Sequence, residues 1–216
     1  MELYGIALSP YVARVLLCIR HKGLSIPLAP PPGGHIKSPE YLEINPYGKM
    51  PTLNADGAYI IESEVICEFL EERFAEPAML PKDPVDRARC RTIGRAIDLY
   101  VLPPMLGLLG QMNPATRDDR AIDRIRGDLK KGLDGLEPFL RGPFAIGPAM
   151  TLADCALLPT LFYVQKFIPS FGVADPLAAY PAMAAIWAHA KTQPMLAALL
   201  EDMDTALKGF MARAAS

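Results

Sequence analysis

Cysteine, histidine and tryptophan are scarce in this chain of 216 residues, which holds 4, 3 and 1 of them. Cys18, Cys67, Cys90 and Cys155 form no Cys-x-x-Cys pair, and three of them lie in apolar helical patterns as small hydrophobes. A disulfide framework is not expected at this length and cysteine density. His21, His35 and His189 are isolated and lack metal-ligand spacing, so no metal site is expected. Neither a P-loop nor a G-x-G-x-x-G run occurs, and no nucleotide cofactor is implied. Charge of one sign is lacking too. The formal net charge is −2 and the pI about 5.9, which does not favour a nucleic-acid-binding surface. No uninterrupted apolar run reaches the ~18 residues of a membrane span; the closest stretch, Tyr100 to Leu109, holds two prolines and follows Asp98. The opening MELYGIALSP has no basic region followed by an apolar run, so no secretory signal is expected. These absences lead us to expect a soluble, cytoplasmic protein.

Hydrophobic residues make up 51% of the chain, enough for one large domain or two small ones with a substantial core. The first 80 residues carry 6 Lys+Arg against 10 Asp+Glu, while residues 81–216 carry 16 against 14. Periodicity changes with charge. The first part alternates strand-like and helical runs, the second reads as helix throughout, and Ala75 to Pro81 with Asp83-Pro84 reads as a linker. Glu2 to Ile6 reads as a strand. Ser9-Pro10 then opens a helix, with Ser as N-cap, Pro in the first turn and Gly23 at its end. Ser25 to Leu28 reads as a second strand, giving a right-handed βαβ unit. A Pro/Gly loop at 29–34 and a connecting segment follow. Thr52 to Asn54 and Ala58 to Ile61 flank Ala55-Asp56-Gly57 as a hairpin, and Ser63 caps another helix. In the second part, Thr116 to Asp119 and Thr151 to Asp154 read as capping boxes. Ile122, Ile125, Leu129, Leu133, Leu136 and Leu140 form a stripe facing a bundle core. Pro103-Pro104 is expected to kink or break the helix that begins near Val85.

Three constellations carry the candidate chemistry. They are Tyr4 to Arg14, the segment Asn45-Pro-Tyr-Gly-Lys-Met-Pro51-Thr-Leu53, and Ile61-Glu62-Ser63. Two of them sit at helix N-termini, where free N–H groups and partial positive charge suit anions. The first part resembles a thioredoxin-like domain. With the T-x-A-D box at Thr151 to Asp154, the motifs resemble, in order and along the whole chain, the glutathione transferase family, most nearly its serine-type classes such as tau, phi and zeta. The implied fold is an α/β thioredoxin-like N-terminal domain (1–78) followed by an all-α helical bundle domain (84–216).

The resemblance implies roles residue by residue. Ser9 would donate its hydroxyl hydrogen to the sulfur of glutathione and favour the thiolate. Lowering a thiol pKa from about 8.5 by two units needs roughly 2.7 kcal/mol. A charge-assisted hydrogen bond of ~1.5–3 kcal/mol with a helix-terminus contribution of ~0.3–1 kcal/mol suffices. Ser9 equally reads as a plain N-cap, and Tyr4 is a rival hydroxyl. Serine in place of the cysteine of other classes disfavours thiol–disulfide exchange at this position. Met50, ahead of a cis Pro51, would pair its main chain with the cysteinyl part of glutathione. Glu62 and Ser63 would hold the γ-glutamyl ammonium and carboxylate. Lys49, His35 and Lys37 would face the glycine carboxylate, or stand as solvated surface groups. Asp154 belongs to folding through its helix start, and Arg14 is read as structural or electrostatic. Tyr11, Val12, Tyr100 and Met105 are the candidates for an electrophile site. The implied enzyme attacks a small, largely apolar electrophile with the glutathione thiolate, needs no metal, serves detoxification and forms a homodimer. A zeta-like glutathione-dependent isomerase and a non-catalytic protein-interaction member are the alternatives.

Overall fold

The structure is a computed structural model and describes residues 1–214. It divides into two compact units, residues 1–79 together with 193 onward, and residues 80–192.

In the first unit, β1 (Glu2–Tyr4) turns Leu3 into the core and stops at Gly5. A Cβ at Gly5 would lie 2.5 Å from Val12 Cγ2, so only glycine lets the chain pass over α1 (Pro10–His21). Helix α1 is capped by Ser9 as expected, and Gly23 at φ 63° ends the turn that follows it. The second strand, β2 (Leu28–Ala29), begins later than expected. Pro27 has no N–H to donate, and pairing opens instead with its carbonyl accepting from the Leu3 N–H at 2.9 Å. The segment expected only to connect holds a short helix, α2 (Pro39–Ile44), opened by Ser38-Pro39 just as α1 is opened by Ser9-Pro10. Strands β3 (Thr52–Ala55) and β4 (Ala58–Ile61) form the expected hairpin, one residue longer on its first arm. Its turn residues, Asp56 and Gly57, both have positive φ, matching the twist of the strands. Helix α3 (Ser63–Arg73) follows. The sheet order is β2-β1-β3-β4, with β1 and β2 parallel and the other pairs antiparallel.

The last helix, α9 (Pro194–Ala214), packs on α1 and completes this unit. It buries Leu196, Leu199 and Met203, and Asp202 pairs with Arg20 of α1. At the far end of α1 the ammonium of Lys22, wholly buried, binds Glu71 and the carbonyls of Phe74 and Pro77, tying α1, α3 and the chain beyond α3 together.

The second unit is helical. Asp83 caps α4 (Pro84–Ala96), accepting from the N–H groups of Val85 and Asp86. Pro103-Pro104 does not break the run. A wide turn at Ile97–Val101, in which the Leu102 N–H reaches back to Ile97, carries α4 directly into α5 (Leu102–Leu109). Such a turn makes room for the proline rings and their missing donors. The joined helix Pro84–Leu109 spans 26 residues and, against expectation, is long and apolar enough by composition to cross a membrane. Here it packs against α6 (Asp119–Leu136) and α7 (Leu152–Phe167). The cap of α6 is Asp118, not Thr116, because its carboxylate reaches the N–H groups of Arg120 and Ala121. The expected stripe is buried at Ile122, Leu129, Leu133, Leu136 and Leu140. Helix α8 (Pro181–Thr192) has its first N–H groups covered by the distant Glu137 carboxylate.

Candidate active site

Strand register decides which loops meet. Tyr4 on β1 stands opposite Ala29 on β2 and Thr52 on β3, and Thr52 stands opposite Ile61 on β4. Strand β1 ends at this row, β3 begins at it and β4 ends at it, so the chain enters or leaves all three at one end of the sheet. Ser9 follows β1, Met50-Pro51 precedes β3, and Glu62-Ser63 follows β4. The loop from Ala29 to Lys37 leaves β2 at the same end. Four stretches far apart in sequence thus converge, and the N-termini of α1 and α3 both open there. Two helix starts at one spot favour an anionic ligand.

Ser9 is half-buried, and its Oγ accepts from the Val12 N–H at 3.4 Å. A hydroxyl that accepts one bond still has its hydrogen to give. The capping and sulfur-binding readings of Ser9 are therefore compatible, with the cap orienting the oxygen and leaving the proton free. Tyr4 is placed differently. The Asn54 side chain, which lowers the phenol pKa, is outweighed by burial and by Glu2, so the net shift is upward. Those partners lie toward the start of β1, away from the end that leads to Ser9.

The Met50–Pro51 bond is cis, as the resemblance implies. Sequence reasoning missed what holds this loop. The Lys49 carbonyl accepts from Tyr41 Oη at 2.7 Å and Asn45 Nδ2 at 2.8 Å, and Thr52 Oγ1 lies 2.9 Å from each of the same two atoms. Tyr41 and Thr52 are fully buried and Asn45 nearly so; burial raises the Tyr41 pKa, keeping the phenol protonated. Asn45 belongs to the recognised motif, but a tyrosine on a short helix carries no signal that separates a hydroxyl clamp from an ordinary core ring. Gly48 has φ 55°, and a Cβ there would meet the Ile36 carbonyl at 2.8 Å, so glycine is required where the two loops touch.

Glu62 is exposed and holds φ 67°, ψ 114°, a conformation rare for a residue with a Cβ. It occupies the N-cap place, so Ser63 is the first helical residue and not the cap expected; Ser63 is buried. Lys49, His35 and Lys37 are all exposed. The Lys37 ammonium reaches the Tyr47 carbonyl at 3.4 Å, beside Gly48 and Lys49. His35 Nδ1 accepts from the Lys37 N–H, turning that ring edge onto its own loop. The Pro/Gly stretch is tied to α2 through Ser38 Oγ, which donates to the Pro32 carbonyl at 2.7 Å.

The electrophile-site candidates separate by burial. Tyr11 is half-exposed at the start of α1, 5.7 Å beneath the Arg14 guanidinium. Val12 and Met105 have no exposed surface and are core side chains, a correction to their reading as pocket walls. Tyr100 is exposed on the helical unit and lines a groove of about 680 Å³ formed by α4, α5 and α6. Among the described residues, no three His, Cys, Asp or Glu groups gather as a metal site would need.

Known proteins resemble this chain along most of its length. The family model described as glutathione S-transferase, N-terminal domain, matches residues 3–78, and the one for the C-terminal domain matches residues 119–186. A maleylacetoacetate isomerase of Pseudomonas aeruginosa is 32% identical over 90% of this chain and 98% of its own length. A glutathione S-transferase of Pseudomonas putida is 28% identical over 98% of this chain and 96% of its own. The crystal structure of a maleylacetoacetate isomerase from Methylobacterium extorquens AM1, with bound malonate and glutathione, superposes with a TM-score of 0.77 at 26% identity, covering 94% of this chain and 97% of that one.

Proposed function

This chain belongs to the glutathione S-transferase family, and from that premise we propose that it binds glutathione at the shared end of β1, β3 and β4 and uses it as a thiolate nucleophile. The observation that carries the reading is the register row Tyr4–Thr52–Ile61, at which β1 and β4 end and β3 begins, so that the stretches holding Ser9, Met50-Pro51 and Glu62-Ser63 all leave the sheet at one end. Glutathione is anionic at two carboxylates and cationic at one ammonium, and the stretches at this end of the sheet offer partners of both signs. Glu62 accepts from the ammonium. Ser63, with the N–H groups at the start of α3, takes the γ-glutamyl carboxylate. The Met50 main chain pairs with the cysteinyl backbone as an added strand does. Lys49 and Lys37, with His35 on the same loop, face the glycine carboxylate.

Ser9 then acts on the sulfur. The Val12 N–H fixes its oxygen, and its hydrogen points to the thiol, where the donation is stronger once the sulfur is charged. The thiol proton leaves to solvent, a carbon–sulfur bond forms at the electrophile, and the leaving group departs or the adduct takes up a proton. Tyr11, at the start of the same helix, meets an apolar electrophile. Detoxification in the cytoplasm is the role this chemistry suits. A homodimer is the expected assembly, supported by apolar residues left exposed on each unit, Tyr59 and Val65 on the first and Leu99 on the second.

The isomerase reading is supported by relatives named maleylacetoacetate isomerase, which stand beside others named glutathione S-transferase. In it glutathione adds to a conjugated cis double bond, the resulting single bond rotates, and elimination returns glutathione unchanged. Counting glutathione consumed per product separates the two activities, and failure to bind immobilised glutathione would favour an interaction protein instead. The deciding experiment on the site is the thiolate absorbance of bound glutathione against pH in the wild type and Ser9→Ala. The variant is expected to titrate at least one unit higher, about 1.4 kcal/mol of lost thiolate preference. An unmoved titration would remove Ser9 from the mechanism.

A further inference from the structure

We infer that Tyr41, through a closed ring of hydrogen bonds with Asn45, Thr52 and the Lys49 carbonyl, is a positioning residue that aims the Met50 main chain at glutathione. The inference rests on the glutathione-binding reading of this site and deepens it.

Proton bookkeeping fixes the ring. The Tyr41 hydroxyl donates to the Lys49 carbonyl at 2.7 Å, which uses its only hydrogen. At the 2.9 Å contact between the two hydroxyls, Thr52 is therefore the donor and Tyr41 Oη the acceptor. The two hydrogens of Asn45 Nδ2 go one to the Lys49 carbonyl and one to Thr52 Oγ1. Each of these donors is used, and the two contacts at Thr52 Oγ1 are buried. Such a network is rigid, since any shift leaves a buried polar group unpaired.

That rigidity is transmitted through one peptide plane. The Lys49–Met50 bond is not among the cis peptides of the chain, so it is trans, and in a trans peptide the C=O and the following N–H point in opposite directions. Two donors hold the Lys49 carbonyl inward, toward Tyr41 and Asn45. The Met50 N–H is thereby turned outward, and among the described residues it has no hydrogen-bond partner. On the far side of Met50-Pro51, the Thr52 hydroxyl is pinned by the same ring. The main chain that pairs with the tripeptide is thus clamped one residue before Met50 and two residues after it. Tyr41 never touches the ligand; it acts through Lys49 and Thr52.

The test compares the wild type with Tyr41→Phe, which keeps the ring and removes only the hydroxyl. Three quantities are measured: calorimetric glutathione affinity, pH titration of the bound thiol, and the urea midpoint. Glutathione Kd is expected to rise about three- to tenfold, the size of one lost oriented hydrogen bond. The thiol titration stays where it was, because Ser9 sets it. Thr52→Val, which removes the other hydroxyl, gives a similar loss, and the double variant loses less than the product of the two. A residue serving only the fold would move the urea midpoint and leave Kd alone, and that result overturns the inference. Should Tyr41→Phe not fold, Thr52→Val decides with the same outcomes. If the wild type itself fails to bind glutathione, the functional reading falls and takes this inference with it. Wild-type binding with unchanged variants sinks the inference alone.

Discussion

Glu62 holds a backbone conformation that costs a residue with a Cβ about 1–3 kcal/mol, and it does so where β4 ends and α3 begins without an intervening loop. Glycine would adopt the same angles without strain, while giving up ~0.5–1 kcal/mol through its freer unfolded chain. Glu62→Gly is therefore expected to raise stability by about 1 kcal/mol and to weaken glutathione binding at least tenfold, because the ammonium loses its carboxylate. Urea unfolding and calorimetry on the same two proteins check both signs; a destabilised variant would mean the conformation carries no strain. The motif Glu62-Ser63 was legible as a unit, but its geometry was not, since nothing in a glutamate announces a positive φ. Ser9 was legible in full, because Ser-Pro before an apolar helix states both the cap and the start. Tyr41 was not legible at all. A hydroxyl matters here only because Lys49 and Thr52 are brought beneath it by chain folding.

At the scale of elements, caps were unevenly readable: Ser9 and Thr151 stand where expected, while Asp118 replaces Thr116 and Glu62 replaces Ser63. Thr151 to Asp154 forms the capping box its spacing implies, and the Asp154 carboxylate accepts from Thr151 N–H, Thr151 Oγ and the Ala145 N–H of the preceding loop. The prolines of α5 were expected to kink or break the helix; a wide turn just before them carries the run on unbroken. At this turn α6 comes close enough that a Cβ on Gly132 would run into the Tyr100 carbonyl, a fit no local pattern reveals. Asp154 yields a prediction with a pH sign. Burial pushes its carboxyl up to about 6 from 3.8, against the pull of the Ala145 and Thr151 hydrogen bonds. The folded state holds this proton more tightly than the unfolded one. Stability from the group is therefore full below pH ~4 and falls by about 3 kcal/mol as pH rises through 6. Asp154→Asn has no such proton, and its amide offers one acceptor oxygen where three donors converge, a deficit of about 1–3 kcal/mol at pH 7. Urea unfolding at pH 4 and pH 7 is expected to show a deficit larger at pH 4 by roughly 2 kcal/mol. An equal deficit at both would mean that Asp154 does not titrate in this range.

At the scale of the whole chain, the division of labour differs from the order of the sequence. Every element after residue 84 is helical, so periodicity alone groups α9 with the helices before it, yet α9 packs on α1 in the unit that carries Ser9, Met50 and Glu62. Which core a helix joins is set by contacts across the length of the chain, such as Arg20 with Asp202, and no local window contains them. The grouping has a measurable consequence for ligand binding. A ligand that binds only the folded first unit stabilises every segment sharing its cooperative opening, by about 2.7 kcal/mol at a hundred times Kd. Native-state amide exchange with saturating glutathione should therefore slow in α1, α3 and α9 together, by about a hundredfold for amides that exchange through opening of that unit, although α9 contributes none of the residues proposed to hold the tripeptide. Amides of α8, next to α9 in sequence but in the other unit, should respond less than those of α9. If α9 followed α8 instead of α1, the first unit would not open as one body, and Ser9 would sit on a scaffold that ends at Met79.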